Sequence, residues 1–429
     1  MRVPGIHVSK ARTLWGRRVK ALLILGAVAA LLPAAAAAEP VREIVINIPA
    51  FSLYLYEDGV RTAEYPIGVG RVVNPSQLGT TQIINKVIFP TYYPPDWYRQ
   101  GLQPIPPGPE NPVGTRWLGL GFRGYGIHGT NDPASIGTAA SAGCIRMLNE
   151  HVEELAELVD VGTKVTFLYE TIEAWRDPLT QTPYLRIYRD IYGQGTNTPA
   201  RALAVLARIG ADQGVDVDAL SALLEEAAGV PRPVPQAVPL LLNDRPVAAS
   251  AARLGERLLL PLDSLAALVG DEVTVSGHQG ERRVRVGGRE LTGVEWIGRR
   301  PYAAVERAAQ ALGLVVLQAD RTGVHLGSVR VQDERGEPIP VRARWVGHTL
   351  LLPVQELAEH LGVDAAWDQR LQALRLGGRL LFSAEVIGGQ VYLAYDRLAK
   401  HLGVEIRWEP EALAVTLSSS AFQSVSRRP

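Results

Sequence analysis

Residues 41–70 read VREIVINIPAFSLYLYEDGVRTAEYPIGVG, and their spacing predicts strands. Ile44, Ile46 and Ile48 recur at every second position, as do Leu53 and Leu55; Tyr65, Ile67 and Val69 then resume the pattern. Alternate side chains of a pleated strand face one side, so these residues mark a buried sheet face. Asp58-Gly59 between the second and third runs is a hairpin-turn pair. Further along, Asn149 stands where an N-cap would precede a helix with an apolar face of Val152, Leu155, Leu158 and Val159. Val165, Phe167 and Tyr169 suggest a closing strand. Residues 89–117 are rich in Pro, Tyr and Trp, including Pro104, Pro106, Pro107, Pro109, Pro112 and Trp117. So many prolines exclude regular structure, and a long aromatic loop is either a substrate lid or a packing flap over the sheet.

Cys144 is the only cysteine of the 429 residues, and it lies sixteen positions after His128. It is either an inert buried thiol or a working one. A thiol attacks as thiolate, and a nearby imidazole can take its proton. His128 is the candidate base, because Gly126-Ile127-His128-Gly129-Thr130 reads as a strand end that holds a side chain rigidly. The Gly129 carbonyl is free to orient the ring by accepting Nδ1–H. Gly143 lets backbone N–H groups turn toward the site as an oxyanion hole. Arg146 is placed to grip a substrate carboxylate. His151 is a weaker rival base; Ser135 and Ser141 lack a partner pattern of their own, and Ser141 is read as a hydrogen-bonding or substrate contact within the site. Taken singly, each residue also has a packing or surface reading; together they favour catalysis.

Ile127-His128-Gly129-Thr130, Pro133-Ala134-Ser135-Ile136-Gly137 and Ser141-Ala142-Gly143-Cys144-Ile145-Arg146-Met147 resemble the L,D-transpeptidase catalytic domain (YkuD-type) family over about 41–170. The resemblance implies a mostly β catalytic domain, a YkuD-type β-sandwich with short helices, acting on peptidoglycan stem peptides. It implies Cys144 as acylated nucleophile, His128 as general base and Gly129 as the orienting carbonyl. Many members have histidine just before the Gly-Cys pair, where this chain has Ala142.

Residues 1–20 carry six basic side chains and no acid, Ala21–Leu32 is apolar, and Ala36-Ala37-Ala38 offers a cleavage site. Residues 1–38 therefore read as a signal peptide, the alternative being an uncleaved anchor, since Ala21–Ala38 is uncharged. The expected location is the cell wall or extracytoplasmic envelope, off the membrane once cleaved. Without those six residues, 38 Lys and Arg stand against 44 Asp and Glu, about −6, which leaves no basic footprint for nucleic acid.

Residues 171–235 read as a helical connector, with helices over Pro199–Ile209 and Val217–Ala228, ending in a stiff Pro-rich linker from Gly229 to Pro235. Beyond it an internal repeat closes on Gly270, Gly313, Gly362 and Gly403, spaced by 43, 49 and 41 residues. Half-repeats this small cannot bury a core alone, so two α+β repeat modules are expected over 236–330 and 338–418. Their Leu-Pro-Leu, Leu-Gly and Trp-Asp patterns resemble copper-amine-oxidase N-terminal-like repeats. That likeness implies an attachment or spacer module, with cell-wall polymer as a partner, and not copper chemistry. His360 and His401, one per repeat on the polar helix face, make a poor metal site.

The expected activity is peptidoglycan L,D-transpeptidation, cysteine acyl transfer from a tetrapeptide stem to an amine acceptor with formation of 3→3 cross-links. The alternatives are an L,D-carboxypeptidase hydrolysing the same acyl-enzyme, or a non-catalytic wall-binding scaffold. No metal or cofactor is expected, because a thioester carries its own leaving group.

Overall fold

The alternating residues at the start of the described chain form the predicted hairpin. In the computed structural model, which describes residues 40–94, 97–278, 281–346 and 348–418, strand β1 (Arg42–Asn47) pairs antiparallel with β2 (Ser52–Glu57), and β2 with β3 (Val60–Pro66). The signal segment expected at 1–38 lies outside the described residues. Asp58 and Gly59, at φ of 50° and 79°, supply the left-handed pair that a two-residue hairpin turn needs. Ile44, Ile46, Leu53 and Leu55 are fully buried.

Next come β4 (Val69–Gly70), β5 (Gly79–Ile88), a one-turn helix α1 (Trp97–Gln100), β6 (Arg116–Leu120), β7 (Gly126–His128), β8 (Ala139–Ser141), β9 (Ile145–Arg146), α2 (Asn149–Leu158) and β10 (Lys164–Leu168). They form an eight-stranded sheet in the order β3-β2-β1-β10-β5-β6-β7-β9, and β4 and β8 form a small parallel pair. β5 serves two halves of the sheet. Its start pairs with β10, its end pairs with β6, and the register shifts between Ile83 and Asn85. Both halves line one core, into which α2 inserts Val152, Leu155 and Ala156. This is the mostly β domain with short helices that the sequence implied. The proline loop is less irregular than its composition suggested: it holds α1, and Trp117 lies inside β6. Asn111, 1% exposed, staples the loop through its side-chain amide to the Pro90, Ile105 and Pro106 carbonyls.

The connector carries its two expected helices and, in addition, a sheet. β11 (Ile172–Arg176), β12 (Pro183–Ile187) and β13 (Arg232–Pro233) make a three-stranded sheet beside α3 (Pro199–Ala207) and α4 (Val217–Glu226). Its core is shared with Ala252, Leu254, Leu259, Ile297 and Tyr302 of the first repeat module. The Pro-rich stretch expected to be a stiff spacer is anchored there: β13 pairs with β12, and Val234 is buried.

In each half-repeat a strand runs directly into a helix: Arg257–Pro261 into Leu262–Leu268, Arg300–Ala304 into Val305–Ala311, Thr349–Pro353 into Val354–Leu361, and Gln390–Ala394 into Tyr395–Leu402. The first two strands pair with each other, as do the last two, which is how half-repeats become modules. The second module begins earlier than expected. Strand Arg330–Asp333 pairs in parallel with Ala414–Ser418, and Val329 and Val331 belong to the second core. Asp271 of the first module forms ion pairs with Arg342 and the buried Arg344 of the second.

Candidate active site

β7 delivers His128 at its C-terminal end, and β9 begins one residue after Cys144. These strands are parallel, with Ile127 opposite Ile145 and His128 opposite Arg146. Paired residues share a sheet face, so His128 and Arg146 lie on one face, while Cys144 stands in the bend just before β9 with its Sγ 3.6 Å from the Gly124 carbonyl. The Arg146 charge acts on both His128 and Cys144.

His128 is 5% exposed, and its ring stacks on Trp117 of β6 at 5.6 Å and 16°. Its Nδ1 lies 2.6 Å from the Gly129 carbonyl, which assigns Nδ1–H as donor and leaves Nε2 with its lone pair. Burial lowers its pKa to about 4, against the raising effect of the Gly129 contact; the Arg146 charge lowers it further. Burial pushes the Cys144 thiol the other way, above its ordinary value, although a backbone contact at Gly126 and the Arg146 charge oppose the shift. Both shifts favour the neutral forms, thiol and imidazole. The cause is desolvation, which penalises both charged forms.

The turn before β9 is closed from inside. Ser141 Oγ donates to the Cys144 carbonyl at 2.6 Å and accepts the Gly143 N–H at 3.0 Å, and Ser141 is 3% exposed. Of the two readings of Ser141, a hydrogen-bonding or a substrate contact, the hydroxyl's engagement within the turn is the first. Gly143 was expected to let backbone N–H groups turn toward the site; its own N–H is bound to Ser141. The Cys144 N–H, one residue on, makes no hydrogen bond among the described residues. Gly143 has φ +117°, and a Cβ there would come within 2.6 Å of the Tyr125 ring, so the position is closed to other residues. Ala142, where many family members carry histidine, is exposed.

Arg146 exchanges main-chain hydrogen bonds with Gly68, and its guanidinium stands 4.0 Å from exposed Asp132, with Nε buried and without a partner. Asn149 does not cap its helix. It is the first residue of α2; its Oδ1 accepts the Thr115 and Thr130 N–H groups and its Nδ2 donates to Thr130 O. It thereby ties down the strand end that carries Gly129. The rival base His151 packs against the core residue Tyr65, and Ser135 Oγ donates to Asp132 O. The proline loop forms one wall of a cleft of about 430 Å³ whose other side includes Thr130, Asn131 and Asn149. Sequence reasoning missed the stacking role of Trp117 and the contact of Tyr125 on Gly143. Trp117 had a signal, since it is an aromatic residue on the strand before the histidine.

The matching family model is that of the L,D-transpeptidase catalytic domain, over residues 41–167. The protein named "Probable L,D-transpeptidase YbiS" of Escherichia coli K12 is 39% identical over 145 residues, 32% of this chain and 47% of the relative. "Probable L,D-transpeptidase ErfK/SrfK" of the same strain is 29% identical over 206 residues, 44% of this chain and 66% of the relative. A solved L,D-transpeptidase from Mycobacterium smegmatis aligns over 30% of this chain and 59% of its own, at 19% identity and a TM-score of 0.25. The chain thus spans about half the length of the first of these relatives. Residues 41–167, the segment that holds His128, Gly129 and Cys144, match the L,D-transpeptidase catalytic domain family.

Proposed function

We propose that the chain is an exported peptidoglycan L,D-transpeptidase. The observation that carries this reading is His128: its Nδ1 is committed to Gly129 O at 2.6 Å, so Nε2 is the free acceptor, on the strand paired with the one that Cys144 precedes. As Cys144 Sγ attacks the carbonyl of the third residue of a tetrapeptide stem, the thiol proton passes to Nε2. The S–C bond forms, the C–N bond to the terminal D-alanine breaks, and His128 returns the proton to the leaving amine. A second stem's side-chain amine then attacks the thioester, its proton goes through His128 to the departing thiolate, and a 3→3 cross-link results. The Cys144 N–H is the main-chain donor for the oxyanion, and Arg146 is the charge that faces a donor carboxylate. Residues 41–167 and the pattern of residues 1–38 support an extracytoplasmic enzyme, with the repeat modules as its attachment to the wall.

Intact-protein mass after incubation with a tetrapeptide donor tests the reading. The wild-type chain gains the acyl group and releases D-alanine, and Cys144→Ala does neither. D-alanine release from Cys144→Ala would overturn the assignment. Muropeptide products formed with an acceptor stem present distinguish cross-linking from hydrolysis.

A further inference from the structure

The chain does not leave the catalytic domain after residue 167; it folds back onto the nucleophile turn. Tyr169 OH donates to Asp190 Oδ1 at 2.7 Å and accepts the Tyr192 N–H at 2.7 Å, and the two tyrosine rings stack at 5.4 Å. Asp190 also accepts the N–H groups of Gln194, Gly195 and Thr196, which closes the loop around Tyr192. The Tyr192 hydroxyl, so held, donates to Gly70 O at 2.8 Å and accepts the Ser76 N–H at 3.2 Å. Ser76 is 3% exposed; its Oγ accepts the Gly70 N–H at 2.9 Å and donates to the Gly143 carbonyl at 2.8 Å.

That last contact matters for geometry. The Gly143 carbonyl and the Cys144 N–H belong to one planar trans peptide unit and point in opposite directions. Holding the oxygen fixes where the N–H points. We infer that Ser76 holds the Gly143–Cys144 peptide so that Cys144 N–H meets the developing oxyanion, and that Tyr192 acts through Ser76 as a second positioning residue. Residues 169–196 then belong to the working catalytic unit although they lie beyond the family match. The inference rests on the transpeptidase reading above.

The test uses the full chain and compares wild type, Ser76→Ala and Tyr192→Phe in two reactions at Cys144. The first is D-alanine release from the tetrapeptide donor, with kcat and KM separated. The second is alkylation by iodoacetamide, a displacement at a saturated carbon that develops no oxyanion and leaves the donor idle. Removing one oxyanion donor costs roughly 10²–10³-fold, so misdirecting it in Ser76→Ala should lower kcat about tenfold to a hundredfold, with KM little changed. Tyr192→Phe, which deletes only the hydroxyl, should give a smaller loss in kcat of the same kind. Alkylation should keep its wild-type rate in both variants. The inference is overturned if kcat is unchanged in both variants, or if alkylation falls in parallel with kcat, since the latter means general disruption of the turn. A wild-type chain that releases no D-alanine sinks the transpeptidase reading itself, and this inference with it.

Discussion

Twelve buried polar or charged residues occur among those described; eight lie between Asn47 and Ser141, three in the connector, and one, Arg344, in the repeat modules. The modules are the longer region, yet their cores are almost wholly apolar and Arg344 sits where the two modules meet. In the catalytic domain the buried polar side chains are engaged one by one: Asn111 in the proline loop, Ser76 and Ser141 around the nucleophile turn, His128 on Gly129. A buried hydrogen-bond network is costly if incomplete, and its use is to hold one geometry. An apolar core tolerates more rearrangement and suits a spacer. The difference predicts that substitutions in the first region change rates and those in the second change stability.

The largest expected effect is at His128. His128→Gln should slow acylation roughly 10²–10⁴-fold, the range for loss of a positioned general base, measured as the rate of mass gain with the donor. In wild type, protonating Nε2 removes the acceptor, so kcat/KM should fall as pH drops through about 4 and not near the ordinary 6.5 of histidine. The same depressed pKa makes the unfolded chain take up the proton first. Native stability should therefore be highest above 6.5 and decline as pH falls toward 4, and the glutamine variant should lack that contribution. A rate limb at ordinary histidine pKa would break the claim that burial keeps the pair neutral.

Next is Leu357→Ala. Leu357 is fully buried in the second module, and removing it should cost about 2–5 kcal/mol in denaturant unfolding. The acylation rate should not change; a parallel loss would mean that the modules shape the site.

The smallest effect is expected from Gly362→Ala. Gly362 ends its helix at φ 66°, and an added Cβ would meet nothing within 4 Å. The cost is then only the left-handed backbone, about 1–2 kcal/mol by thermal unfolding, with wild-type acylation. Gly143 carries positive φ too, but there the Tyr125 ring fills the space, so the same residue type is replaceable at a repeat and not at the nucleophile.

Legibility followed how local each feature is. The β1–β3 hairpin could be read because Asp58-Gly59 and the alternation around it act over a few residues. The repeats could be read because a strand, a helix and a closing glycine recur as one unit. The connector's sheet escaped the reading because it joins Leu185 to Arg232, and composition alone makes Gly229–Pro235 look like a spacer. Asn149 was misread for a related reason: a helix-start residue is expected to face its own helix, and its partners are Thr115 and Thr130.

By itself the sequence determined the candidate reacting groups: a single thiol, a glycine-flanked histidine, and an ordered motif between them. Those are properties of residue type and order, and folding does not alter them. The tertiary structure decided the protonation state and the aim. Burial beside Trp117 favours the neutral imidazole of His128, and β7–β9 register sets it opposite Arg146, two residues after Cys144. Ser76 and Tyr192, distant in sequence, orient the peptide on which Cys144 sits. Desolvation and direction arise from neighbours brought together by the fold, so no reading of adjacent residues contains them.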